Sequence, residues 1–193
     1  KSVAPVNLYG GTKLCLEKLI ILANDYNGGK FKTCVLRYGN VLGSRGSVIP
    51  LFLNQKDKGE FTITSSEMTR FTLTKKQACN FILNCCSNSQ GGEIFVPKLT
   101  KYTLPQLCQI MNPDNKIKYI GIRPGEKLHE EMICPAESYN CWESDNFFII
   151  SNNLSDYLKE KFTFNRKENF SYNSNEAELI DDKSFLEQIN NLE

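Results

Sequence analysis

Apolar positions recur along this chain at two periods, and each period marks a kind of element. Over residues 12–26 the apolar positions Leu14, Leu16, Leu19, Ile20, Leu22 and Ala23 follow the three-to-four spacing of an amphipathic helix. Asn27-Gly28-Gly29 then signals a turn, and Thr33-Cys34-Val35-Leu36-Arg37-Tyr38 reads as a buried strand of a parallel sheet. Helix, turn and strand in that order follow the crossover logic of an α/β fold, in which ligands gather at the carboxyl ends of strands.

The same reading predicts a helix-like piece over 48–58 and an extended piece over 61–64. A helix over 75–86 carries its stripe at Ala78, Phe81, Ile82, Cys85 and Cys86, with Thr74 as its cap. Gly91-Gly92 ends that element, and Glu93-Ile94-Phe95-Val96-Pro97 is a further strand that Pro97 stops. A short helix over 104–111 follows Thr103, and residues 117–122 are extended again. Residues 123–131 read as a turn running into a helix, Phe147-Phe148-Ile149-Ile150 as the last short strand, and 164–174 as a long surface loop. Asp181-Asp182 then caps a terminal helix.

A chain of 193 residues with 40% hydrophobic and 23% charged positions has the make-up of one sizeable globular domain. Its net charge of +1 gives no electrostatic case for nucleic acid. Runs such as Leu19-Ile20-Ile21-Leu22-Ala23 are far shorter than the roughly 18–20 residues of a membrane span. The eight cysteines are scattered without a C-x-x-C pair, and the one histidine, His129, cannot build a usual zinc site by itself. They read as reduced core thiols in a cytoplasmic protein with no metal. Lys1 stands directly before a motif-bearing segment, which suggests an excised part of a longer protein.

Two stretches carry candidate chemistry. In Asn7-Leu8-Tyr9-Gly10-Gly11-Thr12-Lys13 a phenol and an ammonium lie four residues apart, about 5–6 Å at Cβ if the segment is helical. Tyrosine is a poor base at neutral pH, and a neighbouring ammonium favours its phenolate. After the strand comes Gly39-Asn40-Val41-Leu42-Gly43-Ser44-Arg45-Gly46-Ser47-Val48, whose glycines permit close backbone approach where a ligand should sit. Arg123-Pro124-Gly125-Glu126-Lys127-Leu128-His129-Glu130-Glu131 is the densest polar cluster.

Together with Met68-Thr69-Arg70-Phe71 and Gly92-Glu93-Ile94-Phe95-Val96-Pro97-Lys98, these strings resemble the carboxyl half of an extended short-chain dehydrogenase/reductase. More narrowly, they are similar to the inverting, 5-epimerising UDP-N-acetylglucosamine 4,6-dehydratases that open the pseudaminic acid route. Tyr-x-x-x-Lys marks only the superfamily. The Arg123–Glu130 string is more restrictive, and Tyr9, commonly methionine in larger membrane-anchored relatives, favours the short soluble enzymes.

The resemblance implies an α/β fold: the second half of a Rossmann-type parallel sheet plus a smaller α/β substrate-binding domain. Residues 1–45 and 75–98 would belong to the NADP-binding part and 46–74 and 99–193 to the UDP-sugar-binding part. It implies that Tyr9 removes the C4 hydroxyl proton while hydride passes to NADP, and that Lys13 supports Tyr9 and holds the nicotinamide ribose. Lys1 would take the C5 proton, for which it must be neutral, through a partly desolvated site or the nearby Lys13 charge. Water then leaves from C6, hydride returns there, and C5 is reprotonated from the opposite face. Asn40, Gly46, Ser47 and Val48 would line the UDP-sugar, Arg70 its diphosphate, and Arg123 and Glu126 the nucleoside end. The glycine-rich NADP fingerprint is absent from these residues, so this part alone is expected to be inactive, with an exposed sheet edge, and the complete enzyme to be a homo-oligomer. A sugar-nucleotide epimerase and a non-catalytic UDP-sugar-binding half-domain are the alternatives.

Overall fold

The computed structural model describes residues 1–192. In chain order the first elements are α1 (Leu8–Tyr26), β1 (Val35–Leu36), α2 (Val48–Gln55), β2 (Glu60–Ile63), β3 (Thr69–Phe71) and α3 (Lys75–Asn88). Next come β4 (Ile94–Pro97), β5 (Lys101–Thr103), α4 (Leu104–Met111), β6 (Lys116–Tyr119), β7 (Glu131–Ile133) and α5 (Pro135–Ser138). The last are β8 (Cys141–Glu143), β9 (Phe147–Ile150), α6 (Asp156–Lys161), β10 (Asn165–Lys167), β11 (Tyr172–Asn173) and α7 (Asp182–Asn190). They divide between two compact units: Lys1–Tyr38, Cys79–Lys98 and Glu131–Tyr172 form the first, and Gly39–Ala78, Leu99–Glu130 and Asn173–Glu193 the second.

The first unit is built on a five-stranded sheet in the order β1-β4-β9-β8-β10. β1 and β4 pair in parallel, Val35 beside Ile94 and Leu36 beside Phe95, which requires the intervening crossover through α3. β9 joins β4 antiparallel, and β8 and β10 continue antiparallel. The antiparallel half was not legible from apolar runs. Only Ser144-Asp145-Asn146 separate β8 from β9, and so short a turn admits no other direction. Ser144 N–H donates to the Phe147 carbonyl at 2.9 Å across it. Phe147–Ile150 is therefore not the final strand: β10 and β11 lie within the stretch read as a surface loop. Within residues 131–172, β8, β9 and β10 extend the sheet of this first unit, while β7 pairs with β11 in a separate two-stranded sheet. The unit's core gathers Phe95, Phe147, Ile149, Leu154 and Leu158, with Phe162 edge-on to Phe147 at 5.2 Å between ring centres.

The second unit has its own core of Phe52, Phe61, Ile63, Met68, Tyr102, Leu107 and Phe185. β2 and β6 pair in parallel and β3 and β5 antiparallel. Two of its helices, α4 and α7, start where a hydroxyl and a carboxyl cap place them. Thr103 Oγ1 accepts the Gln106 N–H at 3.2 Å before α4, and an Asp181 carboxylate oxygen accepts the Ser184 N–H at 2.9 Å before α7. The cluster at 123–131 forms turns leading into β7, with no helix.

All eight cysteines are free thiols, but Cys15, Cys79 and Cys86 are exposed, so the expected burial holds only for part of the set. Among the described residues no group of His, Cys, Asp and Glu could hold a metal ion, and no helix is long and apolar enough to cross a membrane.

Candidate functional site

In the first unit the site is built on α1. The apolar spacing starts this helix at about Thr12, yet it starts at Leu8. Asn7 sits in extended backbone and its side-chain oxygen accepts the Gly10 N–H at 2.8 Å, capping the helix four residues earlier. Tyr9 and Lys13 are thus both inside one helix. The Lys13 ammonium lies 5.4 Å from the Tyr9 ring centre, and the phenol is 59% exposed, open to a ligand.

Gly10 explains how Lys1 comes to the same place. A Cβ there would stand 2.8 Å from the Lys1 carbonyl oxygen and 2.9 Å from Pro5 Cβ, so only glycine lets the leading segment lie against the helix start. Lys1, Tyr9 and Lys13 are therefore brought to one end of α1.

Beneath them lies a charged cluster that the motif reading missed. Arg37, at the end of β1, is buried, as is Glu17 on α1. The guanidinium uses all five of its N–H donors. Nε and Nη2 reach Glu17 at 2.8 and 2.6 Å, Nη1 and Nη2 reach Glu137 at 2.9 and 2.6 Å, and Nη1 reaches the Met132 carbonyl at 2.9 Å. Burial pushes the Glu17 and Glu137 carboxyls up, but the Arg37 hydrogen bonds and charge outweigh it and leave both below the ordinary carboxylate value. The signal was present in the sequence: an arginine inside an apolar strand demands carboxylates.

In the second unit the loop after β1 is held by its own backbone. Leu42 N–H donates to the Leu73 carbonyl at 2.8 Å, and Ser47 N–H to Ser44 at 3.0 Å. Gly39 packs on Phe71, where a Cβ would meet Phe71 Cβ at 2.8 Å. Asn40 follows it directly, half-buried at the start of the loop. Gly46 has φ +76° with open space above it. Ser47 occupies the cap position of α2, ahead of Val48, yet its side chain makes no capping bond, and its Oγ is buried without a partner. The α2 N-terminus therefore keeps its uncapped N–H groups and the positive end of its helix dipole.

Arg123-Pro124-Gly125-Glu126 forms a β-turn in which Glu126 N–H donates to the Arg123 carbonyl at 3.1 Å, with Gly125 at φ +78°. Proline then left-handed glycine is the type II arrangement. Arg70 pins this turn, because Nη1 donates to the Leu128 carbonyl at 2.9 Å, Nη2 to Lys127 at 3.0 Å, and the Glu126 carboxylate is 3.9 Å away. Arg70, Arg123 and Glu126 are thus brought together, with Arg70 acting as the turn's anchor. His129 Nδ1 lies 2.8 Å from Thr69 Oγ1, which lies 2.6 Å from Ser174 Oγ, and Glu130 accepts the Phe71 N–H at 2.7 Å. These contacts tie the polar string to β3.

Residues 1–152 match the family described as "Polysaccharide biosynthesis protein". The chain belongs to the polysaccharide biosynthesis protein family. All of this family member aligns with a UDP-N-acetylglucosamine 4,6-dehydratase (inverting) from Campylobacter jejuni, at 40% identity over 206 residues and 62% of that protein's length. A UDP-glucose 4-epimerase from Rickettsia rickettsii is 41% identical over 156 residues, covering 78% of the chain and 46% of the relative. The X-ray structure of Pen from Bacillus thuringiensis superposes with TM-score 0.86 at 34% identity, over 98% of this chain and 60% of that one. The family member thus spans about three fifths of the dehydratase and of Pen.

Proposed function

We propose that the complete protein containing these residues is a UDP-N-acetylglucosamine 4,6-dehydratase, a lyase that oxidises C4, removes the C5 proton, expels the C6 hydroxyl as water and returns hydride to C6. The observation that carries this is the Tyr9 and Lys13 pair at the exposed start of α1, with the Lys1 backbone seated against Gly10. The 40% identity to an enzyme of that name supports it.

An exposed phenol beside an ammonium fits a nicotinamide nucleotide, whose ribose hydroxyls Lys13 would hold. When bound, NADP supplies the hydride acceptor and donor. Tyr9 takes the proton from the C4 hydroxyl, and Lys13 offsets the charge that Tyr9 carries as phenolate. Once C4 is a ketone, the C5 proton is acidic, and Lys1 takes it. The Gly46-Ser47-Val48 backbone, at the uncapped start of α2, would meet the substrate's anionic part, beside Asn40. Arg123 and Glu126 would hold the nucleoside end, with Arg70 fixing their turn and facing the diphosphate. The protein would act in the cytoplasm as a homo-oligomer on the pseudaminic acid route.

Incubating the complete protein with UDP-N-acetylglucosamine and NADP and following the 4-keto sugar by NMR tests this; no oxidation at C4 would sink it. The Rickettsia relative named as an epimerase favours a second reading, in which the sugar is interconverted without loss of water. A product lighter by one water selects the dehydratase.

A further inference from the structure

The buried face of α1 holds a link that no part of the proposed chemistry uses. Ser2 is buried, and its hydroxyl donates to Glu17 Oε2 at 2.7 Å. That same oxygen receives the Arg37 Nε–H at 2.8 Å. Ser2 follows Lys1 directly, and Glu17 lies one turn beyond Lys13, so a single carboxylate joins the segment of one expected base to the helix of the other.

Helix geometry gives that carboxylate leverage. Each step of four residues advances about 40° around an α-helix, so Tyr9, Lys13 and Glu17 spiral through roughly 80°. Exposure follows the spiral: Tyr9 is 59% exposed, Lys13 is half-buried and Glu17 is 3% exposed. With Glu17 clamped by two Arg37 bonds, α1 cannot roll about its axis without breaking a buried ion pair. The direction in which Tyr9 and Lys13 face is thereby set.

The Lys1 segment needs its tie. It has no regular secondary structure, and Ala4 has φ +40°, a left-handed conformation that is strained for an L-residue with a Cβ. Such a backbone persists only where surrounding contacts over-determine it. The Ser2 bond and the close approach at Gly10 are two such contacts.

We propose that Glu17 and Ser2 are positioning residues: Glu17, clamped by Arg37, fixes the roll of α1, and through Ser2 fixes where Lys1 stands relative to Tyr9. This rests on the dehydratase reading. Neither residue touches substrate; both act through Lys1 and Tyr9.

The complete protein is compared as wild type, Ser2→Ala, Ser2→Thr and Glu17→Gln, with UDP-N-acetylglucosamine and NADP in deuterated buffer below each variant's melting transition. Single-turnover absorbance of reduced nicotinamide reads oxidation at C4, and deuterium incorporation reads exchange at C5. Displacing a catalytic group by about 1 Å costs on the order of 10²-fold in rate, so Ser2→Ala should slow C5 exchange by up to that factor while C4 oxidation keeps the wild-type rate. Ser2→Thr, which retains the hydroxyl, should restore exchange. Glu17→Gln should slow both steps, with KM for the UDP-sugar unchanged. Wild-type exchange in Ser2→Ala, or parallel loss of both steps in Ser2→Ala, would overturn the proposal. A wild type that neither oxidises C4 nor exchanges C5 would overturn the dehydratase reading first and the positioning role with it, an outcome visible before any substitution is made.

Discussion

The Arg37 guanidinium grips the Glu17 carboxylate through two bonds, Nε to Oε2 at 2.8 Å and Nη2 to Oε1 at 2.6 Å, with both side chains nearly closed to solvent. This fork ties the end of β1 to the middle of α1. Charge-assisted, paired bonds of this kind fix orientation as well as contributing energy.

Removing the cation should therefore be costly. Arg37→Ala leaves buried Glu17 with only the exposed Lys18 ammonium at 3.7 Å and takes from Glu137 the guanidinium that pairs with it, and breaking such a buried pair typically costs about 3–5 kcal/mol. The expected result is a matching drop in unfolding free energy by urea titration of the complete protein. A loss below about 1 kcal/mol, the range of exposed pairs, would show that the cluster is solvated in solution.

Stability should fall on the acid side. Glu17 and Glu137 are held below the ordinary carboxylate value of 4.5, so the unfolded chain takes up protons first as pH drops. Their contribution is complete above that value and is lost as pH falls through the folded values. His129 behaves likewise higher up: burial first, then the Arg70 and Lys101 charges, hold its imidazole below 6.5 against the pull of Glu67. The thermal midpoint should begin to fall below about pH 6.5 and drop steeply below about 4.5, and His129→Gln should remove the first shoulder. A midpoint constant between neutral pH and pH 4 contradicts this.

Gly10→Ala sets two effects against each other. Alanine favours helix over glycine by about 1 kcal/mol. Its Cβ would meet the Lys1 carbonyl oxygen at 2.8 Å, and overpacking of this kind costs about 1–3 kcal/mol or displaces the segment. The variant should gain little or no stability and should slow exchange at C5 more than oxidation at C4. An unperturbed exchange rate would mean that the Lys1 backbone does not need this seat.

Lys1→Ala should spare oxidation at C4 and block what depends on removing the C5 proton, leaving reduced nicotinamide and a 4-keto sugar on the protein. A positioned base is worth on the order of 10²–10⁴ in rate. Tyr9→Phe should suppress the first oxidation as well. Single-turnover absorbance with deuterium incorporation separates them, and wild-type exchange in Lys1→Ala would return that residue to an ordinary surface lysine.

Gly125→Ala tests the nucleoside end. A side chain at φ +78° costs about 1–2 kcal/mol, which should loosen the turn presenting Arg123 and Glu126 and weaken UDP binding by calorimetry. Unchanged UDP affinity would remove the turn from the site.

Much of this protein was determined locally and could be read along the chain. The Tyr9 to Lys13 spacing, the Thr103 cap and bounds of α4, and the proline-glycine turn at 124–125 each depend on neighbours within a few residues, so sequence order carries them. What lay beyond reading were relations between residues distant in sequence. Gly10, unfavourable inside a helix by propensity, stands in α1 where the Lys1 backbone presses in and a Cβ would not fit. Phe147–Ile150 reads the same whether its neighbour runs parallel or antiparallel, and only the turn at 144–146 and pairing with β4 and β8 decided the direction. Arg37 alone announced that carboxylates were needed, but Glu17 and Glu137 stand 20 and 100 residues away, and nothing short of the folded chain could name them. An element's period is a local property of its backbone, whereas a partner is chosen by which surfaces burial brings together.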